Sequence, residues 1–130
     1  MSKGVVSMSK KVALVGHCGP DSSYLRMAVS QADRTIQVLA ADDTGELNAV
    51  LAQGVDLLLL NREMPYGFDD SEGVDLIRKL RAKHPSVKMM LVSNYPDAQA
   101  AAVAAGGMPG FGKREIGTPR VGQVIRDALG

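Results

Sequence analysis

Four consecutive leucines at residues 57–60 constrain the fold of this chain more than any other feature of its sequence. A strand of this composition has no polar face, which is typical of a central parallel strand that helices cover on both sides. The run ends at Asn61, and Met64 and Pro65 follow. Because parallel α/β sheets carry their functional groups at the carboxyl ends of the strands, Asn61 is the first candidate position for a functional site.

Apolar and amphipathic segments alternate along the rest of the chain. Short apolar runs predict strands at residues 11–15, 35–40, 57–60 and 87–92, with a weaker strand near Gly110 and Phe111. The helices between them are predicted to have Asp21, Asp43, Asp97 and Thr118 as N-caps, and Glu46 completes a capping box with Asp43. Strict alternation implies right-handed crossovers and an α/β fold with helices on both faces of a parallel sheet. Five strands in one domain favour the flavodoxin-like, doubly wound order 2-1-3-4-5.

Length, charge and cysteine content restrict the class of protein. The 130 residues, 45% hydrophobic and 22% charged, fit one globular domain. A net charge of +1 gives no footprint for nucleic acid, and no apolar run reaches the roughly 18 residues of a membrane span. Residues 1–10 lack the apolar core of a signal peptide and are predicted to be a flexible lead-in to a domain at residues 11–130. The single cysteine, Cys18, allows no internal disulfide and fits a reducing cytoplasm.

The order 2-1-3-4-5 makes the first and third strands neighbours, so the residues after their carboxyl ends are predicted to form the site. The candidates are Gly16, His17, Cys18, Asn61, Arg62, Ser93, Asn94, Lys113 and Arg114. A glycine-bearing loop such as the one after the first strand can cradle an anion, but it matches neither the phosphate loop of nucleotide hydrolases nor the dinucleotide fingerprint. His17 and Cys18 are too few ligands for structural zinc, and no third group orients them as a nucleophile and base.

The order of these features resembles the receiver domain of two-component response regulators, which has the CheY-like fold. The resemblance covers the chain from Lys11 to Leu129 and is carried by the following residues in sequence: Asn61, Met64, Pro65, an acidic loop, Gly73, Ser93, Gly110, Phe111 and Lys113. In that family the third strand ends in an aspartate that accepts a phosphoryl group. Two acidic residues after the first strand hold Mg²⁺ together with that aspartate.

The resemblance implies a role for each matched position. Asn61 falls at the phosphoacceptor, and Gly16 and His17 fall at the acidic pair. Ser93 falls at the switch Thr/Ser and Phe111 at the switch aromatic, which in ordinary receivers move with phosphorylation. The family's lysine near the fifth strand falls on Lys113, which keeps the residue type, or on Arg114, which keeps the offset from Phe111.

The departures from the family pattern indicate a pseudo-receiver. A neutral amide at Asn61 is a far weaker nucleophile than a carboxylate. Mg²⁺ prefers carboxylate oxygens, and all three carboxylates of the expected cage are missing. We therefore expect a two-component signalling domain that is not phosphorylated, has no enzyme activity, binds no metal or cofactor, and acts through protein contacts.

The resemblance also places a protein-partner or homodimer surface on the face formed by the alanine-rich segment from Ala98 to Ala105, Phe111 and the last helix. A second feature is the loop with Asp69, Asp70 and Glu72, which is either a solvated loop or a substitute source of carboxylates, within reach of Lys113 or Arg114. Tyr66 and Phe68 in this loop are predicted either to cover the site or to mark a contact surface.

Two other functions remain open from the sequence. One is a phosphorelay response regulator that accepts phosphate at another carboxylate, such as Asp21 or Asp56. The other is a small-ligand-binding flavodoxin-like domain that uses the loop after the first strand. The missing phosphate-loop fingerprint counts against this second function.

Overall fold

The computed structural model describes residues 9–130 and contains five strands alternating with five α-helices. The strands are β1 (Lys11–Val15), β2 (Gln37–Ala41), β3 (Leu57–Asn61), β4 (Lys88–Val92) and β5 (Met108–Phe111). The helices are α1 (Gly19–Ala32), α2 (Thr44–Gln53), α3 (Gly73–Lys83), α4 (Pro96–Ala104) and α5 (Pro119–Leu129), and a 3₁₀ turn spans Lys113–Glu115. Residues 1–8 of the predicted lead-in lie outside the described residues.

The sheet confirms the predicted topology. Its strands are all parallel and run in the order β2-β1-β3-β4-β5. The central strand β3 pairs with β1 through Leu60 and Val15 and with β4 through Asn61 and Val92. The carboxyl end of β3 therefore lies between the ends of β1 and β4, which positions Asn61 at the middle of the functional edge.

The leucines of β3 alternate between two hydrophobic cores. Leu57 and Leu59 face α1 and α5, whereas Leu58 and Leu60 face α2 and α3. All four are fully buried, which confirms that the strand has no polar face. Burial of this kind stabilises a structure by about 1.5–3 kcal/mol per leucine side chain, so the leucine run holds the two layers of helices on one sheet.

Helix starts agree only partly with the predictions. Asp43 caps α2, accepting a 2.7 Å hydrogen bond from the Glu46 amide, and Thr118 occupies the N-cap position of α5. The N-caps predicted at Asp21 and Asp97 are wrong, because α1 and α4 begin earlier, after Cys18 and Tyr95. Each has proline in its first turn, where the missing amide proton is no loss, and the aspartates follow within that turn.

Strand β2 begins two residues later than predicted. The Asp33 carboxylate accepts hydrogen bonds from both the amide and the hydroxyl of Thr35, at 2.9 and 2.7 Å, and these bonds form a turn. Local side-chain bonds of this type compete with strand pairing. No helix in residues 9–130 is long and apolar enough to cross a membrane.

Candidate functional site

A cleft of about 250 Å³ opens at the carboxyl edge of the sheet, beside the end of β3. It is lined by Asn61, Arg62, Glu63, Val92, Ser93, Asn94, Tyr95 and Lys113. The structure thus brings together the predicted candidates from β3, β4 and the segment after β5. Gly16 and His17 contact β3 from the loop after β1.

The Asn61 side chain is fully engaged with the backbone. Its Nδ2 group donates to the Gly16 carbonyl at 3.1 Å and to the Glu63 carbonyl at 3.0 Å. Its Oδ1 atom accepts from the Arg62 amide at 3.0 Å. The side chain therefore joins the end of β3 to the loop after β1, a contact that requires a hydrogen-bond donor and that an ionised carboxylate cannot make.

Gly16 has a backbone conformation suited to glycine. Its φ angle is +76°, and a Cβ atom there would lie 3.0 Å from Met64 Cε and 3.1 Å from Pro65 Cδ. Met64 is buried, so it has little room to move away. An acidic side chain at this position would be both strained and crowded.

His17 is buried against β3 instead of facing the cleft as a charged ligand. Only 6% of its surface is exposed, and Nε2 lies 2.8 Å from the Leu59 carbonyl, so Nε2 carries a proton and donates it. Within residues 9–130, Nδ1 has no hydrogen-bond partner. Burial lowers the pKa of His17 below its ordinary 6.5; Lys113 adds to that effect, while the Leu59 bond and the carboxylates of Asp21 and Asp42 oppose it.

Lys113 forms an ion pair with Asp21, the aspartate in the first turn of α1, at 3.1 Å. Burial raises the pKa of Asp21, but the neighbouring side chains of Lys113 and Cys18, with the nearby positive charge, outweigh that effect and hold the pKa below its ordinary value. The predicted reach of Lys113 to the acidic loop is wrong, because this nearer carboxylate pairs with it. In that loop Asp70 pairs with Lys79 at 2.9 Å.

Arg114 follows a different path from Lys113. Its backbone amide donates to Asn94 Oδ1 at 2.9 Å. Arg114 is exposed and lines a separate groove between α4 and the segment after β5. Lys113 and Arg114, the two candidates for the family's lysine position, thus belong to two different surfaces.

Ser93 and Phe111 are both buried at the ends of β4 and β5. Ser93 is 4% exposed, and its Oγ accepts a hydrogen bond from the Tyr95 amide at 3.2 Å. Phe111 is 1% exposed and its side chain belongs to the core beneath α1 and α5. The predicted surface role of the Phe111 side chain is therefore corrected: the ring is core, because the sheet edge and the two helices enclose it.

The acidic loop after β3 is attached to α2, away from the cleft. Thr44 donates from its amide to the Gly67 carbonyl at 3.1 Å, and its hydroxyl accepts from the Asp69 amide at 2.9 Å. Phe68 packs partly buried against the core beneath α2 and α3, whereas Tyr66 is fully exposed. The loop therefore neither covers the cleft nor supplies carboxylates to it.

The residues at the cleft do not fit Mg²⁺. The three positions that hold the ion in receivers carry a glycine, a histidine bonded to Leu59 and an asparagine whose Oδ1 faces the Arg62 amide. Among residues 9–130, no group of three histidine, cysteine, aspartate or glutamate side chains is arranged to hold a metal ion. Asp56, one of the alternative acceptors, precedes β3 at the opposite end of the sheet, where it accepts from the Lys11 amide at 2.8 Å.

Two features of this edge were not identified from the sequence. The Arg62 guanidinium lies 4.7 Å from the centre of the Tyr95 ring, a cation–π contact that flanks the cleft. The Gln99 side-chain amide bonds to the ends of β4 and β5. Both pairings join residues from separate segments of the chain, so only the three-dimensional arrangement reveals them.

Comparison with solved structures identifies the fold. The signal receiver domain of an HD domain-containing protein from Pseudomonas fluorescens Pf-5 has a TM-score of 0.78 at 20% identity, over 99% of this chain and 93% of that one. The non-phosphorylated receiver domain of the stress response regulator RcsB from Escherichia coli has a TM-score of 0.74 at 18% identity, over 92% and 94% of the two chains. A response regulator from Thermotoga maritima gives 0.71 at 20% identity, over 94% and 98%.

Neither protein-family models nor characterised protein sequences match this chain. The structural likenesses, at 20% identity or less, establish the flavodoxin-like fold of response regulator receiver domains. They agree with the fold that the order of sequence motifs predicted.

Proposed function

We propose that this domain is a receiver-fold signalling module that accepts no phosphoryl group and acts through contacts with other proteins. The observation that carries the proposal is the bonding of Asn61, whose amide donates to the Gly16 carbonyl at the position of the phosphoacceptor. A neutral hydrogen-bond donor therefore lies where receiver chemistry needs a free carboxylate. The amide nitrogen has no available lone pair with which to attack phosphorus.

The neighbouring positions support the same conclusion. Acyl phosphate chemistry depends on a cation that neutralises phosphoryl charge, and this edge offers no carboxylate cage for one. Gly16 cannot be exchanged for aspartate without backbone strain, and His17 is committed to the Leu59 carbonyl. A single substitution at Asn61 therefore restores neither the metal site nor the reaction.

We assign the lysine position of the receiver pattern to Lys113. Lys113 lines the cleft, and its ammonium group pairs with Asp21. Arg114 is instead directed to the groove beside α4. In this assignment the lysine binds a carboxylate of α1. In receivers, by resemblance, the corresponding lysine binds a phosphoryl group.

For the protein contact we propose the face formed by α4, β5 and α5. A groove of about 550 Å³ lies there, with Ala100 and Val103 on one side and Arg114 and Arg120 on the other. Val103 is 44% exposed, and α4 presents small side chains that allow a close approach of another backbone. A homodimer through this face is the simplest form of the contact, and light scattering across a concentration series tests it.

The chemical proposal is tested by incubating the protein with acetyl phosphate and Mg²⁺ and measuring the intact mass. We expect no phosphoryl adduct on the wild-type protein or on Asn61→Asp, while an ordinary receiver treated in parallel gains one. A covalent phosphoryl group on the wild-type chain would overturn the proposal. Its loss in Asp21→Asn, with retention in Asp56→Asn, would identify Asp21 as the acceptor.

A further inference from the structure

Helix α4 is held against the sheet by little apolar surface. Ala102 is its only fully buried residue, and a methyl group buries far less area than the valine and isoleucine side chains that fix α5. Alanine-rich helices of nine residues are marginal in isolation, so contacts outside the helix must determine where α4 lies.

The side-chain amide of Gln99 makes such contacts. Its Nε2 group lies 2.9 Å from the Leu91 carbonyl, 3.1 Å from the Ser93 carbonyl and 3.2 Å from the Phe111 carbonyl. Its Oε1 atom accepts from the Gly110 amide at 3.2 Å. Two amide protons are thus shared among three carbonyl groups, and this donor pattern fixes the orientation of the amide.

These bonds coincide with an irregularity in the sheet. Met90 pairs with Met108, but Val92 pairs with Phe111, so two residues of β5 oppose one of β4. The bulge leaves backbone groups without a ladder partner, and the Gln99 amide provides both a donor and an acceptor for them. Gly110 allows this close approach, because a Cβ atom there would lie only 2.2 Å from the Leu91 carbonyl oxygen.

The positions joined by Gln99 are those that change with phosphorylation in ordinary receivers, according to the resemblance described above. Ser93 and Phe111 are linked directly by a 3.0 Å backbone bond between the Ser93 amide and the Phe111 carbonyl. The Gln99 amide bonds to the carbonyl groups of both residues. One side chain of α4 thereby connects the helix to both switch positions at once.

We infer that Gln99 is a positioning residue that keeps α4 in one arrangement against β4 and β5, without a phosphoryl group at position 61. The inference deepens the proposed function and takes its biological meaning from it: the α4–β5 face is then presented to a partner constitutively. Its physical content is independent of that proposal, because the order of α4 can be measured without any partner or phosphodonor.

The first test uses the wild-type protein and NMR hydrogen exchange. The two Nε2 protons of Gln99 are expected to exchange at least roughly tenfold more slowly than those of Gln53, an exposed glutamine at the end of α2. Equal exchange rates for the two side chains would overturn the inference. This measurement does not depend on the folding of any variant.

The second test replaces Gln99 with methionine, which keeps the length of the side chain and removes its donor and acceptor. We expect Gln99→Met to lower the protection of the amides of residues 100–104 and of the Gly110 amide by roughly tenfold to a hundredfold, with little change in β1 and β3. The matched control Gln53→Met is expected to leave all of these amides unchanged.

A second control separates positioning from helix propensity. Ala101→Gly lies on the exposed side of α4 and weakens the helix without touching Gln99. It is expected to increase exchange within α4 but to leave the Gly110 amide protected. An unchanged Gly110 amide in Gln99→Met, or a uniform increase in exchange over the whole sheet, would show that Gln99 does not position α4. A phosphoryl adduct with these exchange results intact would refute only the proposed function.

Discussion

Substituting Asn61 with aspartate, the residue type that receivers carry there, should destabilise this protein. The Nδ2 donor to the Gly16 carbonyl is lost, and a carboxylate oxygen is set opposite the carbonyl groups of Gly16 and Glu63. In an ordinary receiver, aspartate at this position is the functional group. Here the surrounding backbone is arranged for a donor, so the substitution sets acceptor against acceptor.

The magnitude follows from the burial of the two bonds. The bond to Gly16 is partly buried and its loss costs about 1 kcal/mol, whereas the exposed bond to Glu63 costs a few tenths. The unpaired carbonyl and the facing carboxylate add about 1 kcal/mol. The free energy of unfolding should therefore fall by about 2 kcal/mol, which for a domain of this size lowers Tm by roughly 6–10 °C.

The assay is urea unfolding followed by far-UV circular dichroism at pH 7, with Asn48→Asp as the control. Asn48 is exposed on α2, so the same chemical change there should alter the unfolding free energy by less than about 0.5 kcal/mol. The difference in unfolding free energy between Asn61→Asp and the wild type should be smaller in acid, because a protonated carboxyl group can donate a hydrogen bond again. An unfolding free energy equal to that of the wild type, or one restored by added Mg²⁺, would refute the reasoning.

Three further predictions concern the same edge of the sheet. Because burial lowers the pKa of His17, the unfolded state takes up a proton before the folded state does as the pH falls. The unfolding free energy should therefore be constant above about pH 6.5 and decrease below it. Urea midpoints measured from pH 7.5 to 5 should show this decrease in the wild type but not in His17→Met. Gly16→Asp should lower Tm strongly, whereas Gly19→Asp, which meets no atom within 4 Å, should leave Tm nearly unchanged in the same thermal scan. Asp21→Asn should reduce the unfolding free energy by less than about 1 kcal/mol in urea titration, because its pair with Lys113 is partly exposed.

The sequence predicted those parts of the fold that depend on strong local patterns. The leucine run specifies a central strand because four successive apolar residues leave no face for water. The alternation of segments then predicts a doubly wound sheet, and the number of strands favours one of its two common orders. The starts of α1 and α4 were misplaced because an aspartate in the first turn resembles an N-cap, while the proline before it defines the actual start.

The contacts of the site were less predictable than its location. Asn61, Ser93 and Lys113 could be placed at one edge because parallel strands end together. The pairing of Lys113 with Asp21 depends on where α1 begins, and the reach of Gln99 depends on a bulge in β5. The proline in the first turn does mark the start of α1 in the sequence. The bulge has no strong signature there, because it follows from the competition among backbone partners.

The loss of carboxylates at this edge is matched by neutral contacts that join the same two strands. By resemblance, receivers link the loop after β1 to the end of β3 through a metal ion. Here Asn61 bonds to the Gly16 carbonyl, and His17 bonds to the Leu59 carbonyl. These bonds form with the folded chain itself and carry no net charge, so they need neither an ion nor a phosphoryl group to complete them. The proposed function therefore predicts that the conformation of this domain does not respond to the phosphodonor supply and that its signalling state is set by the presence of its partner.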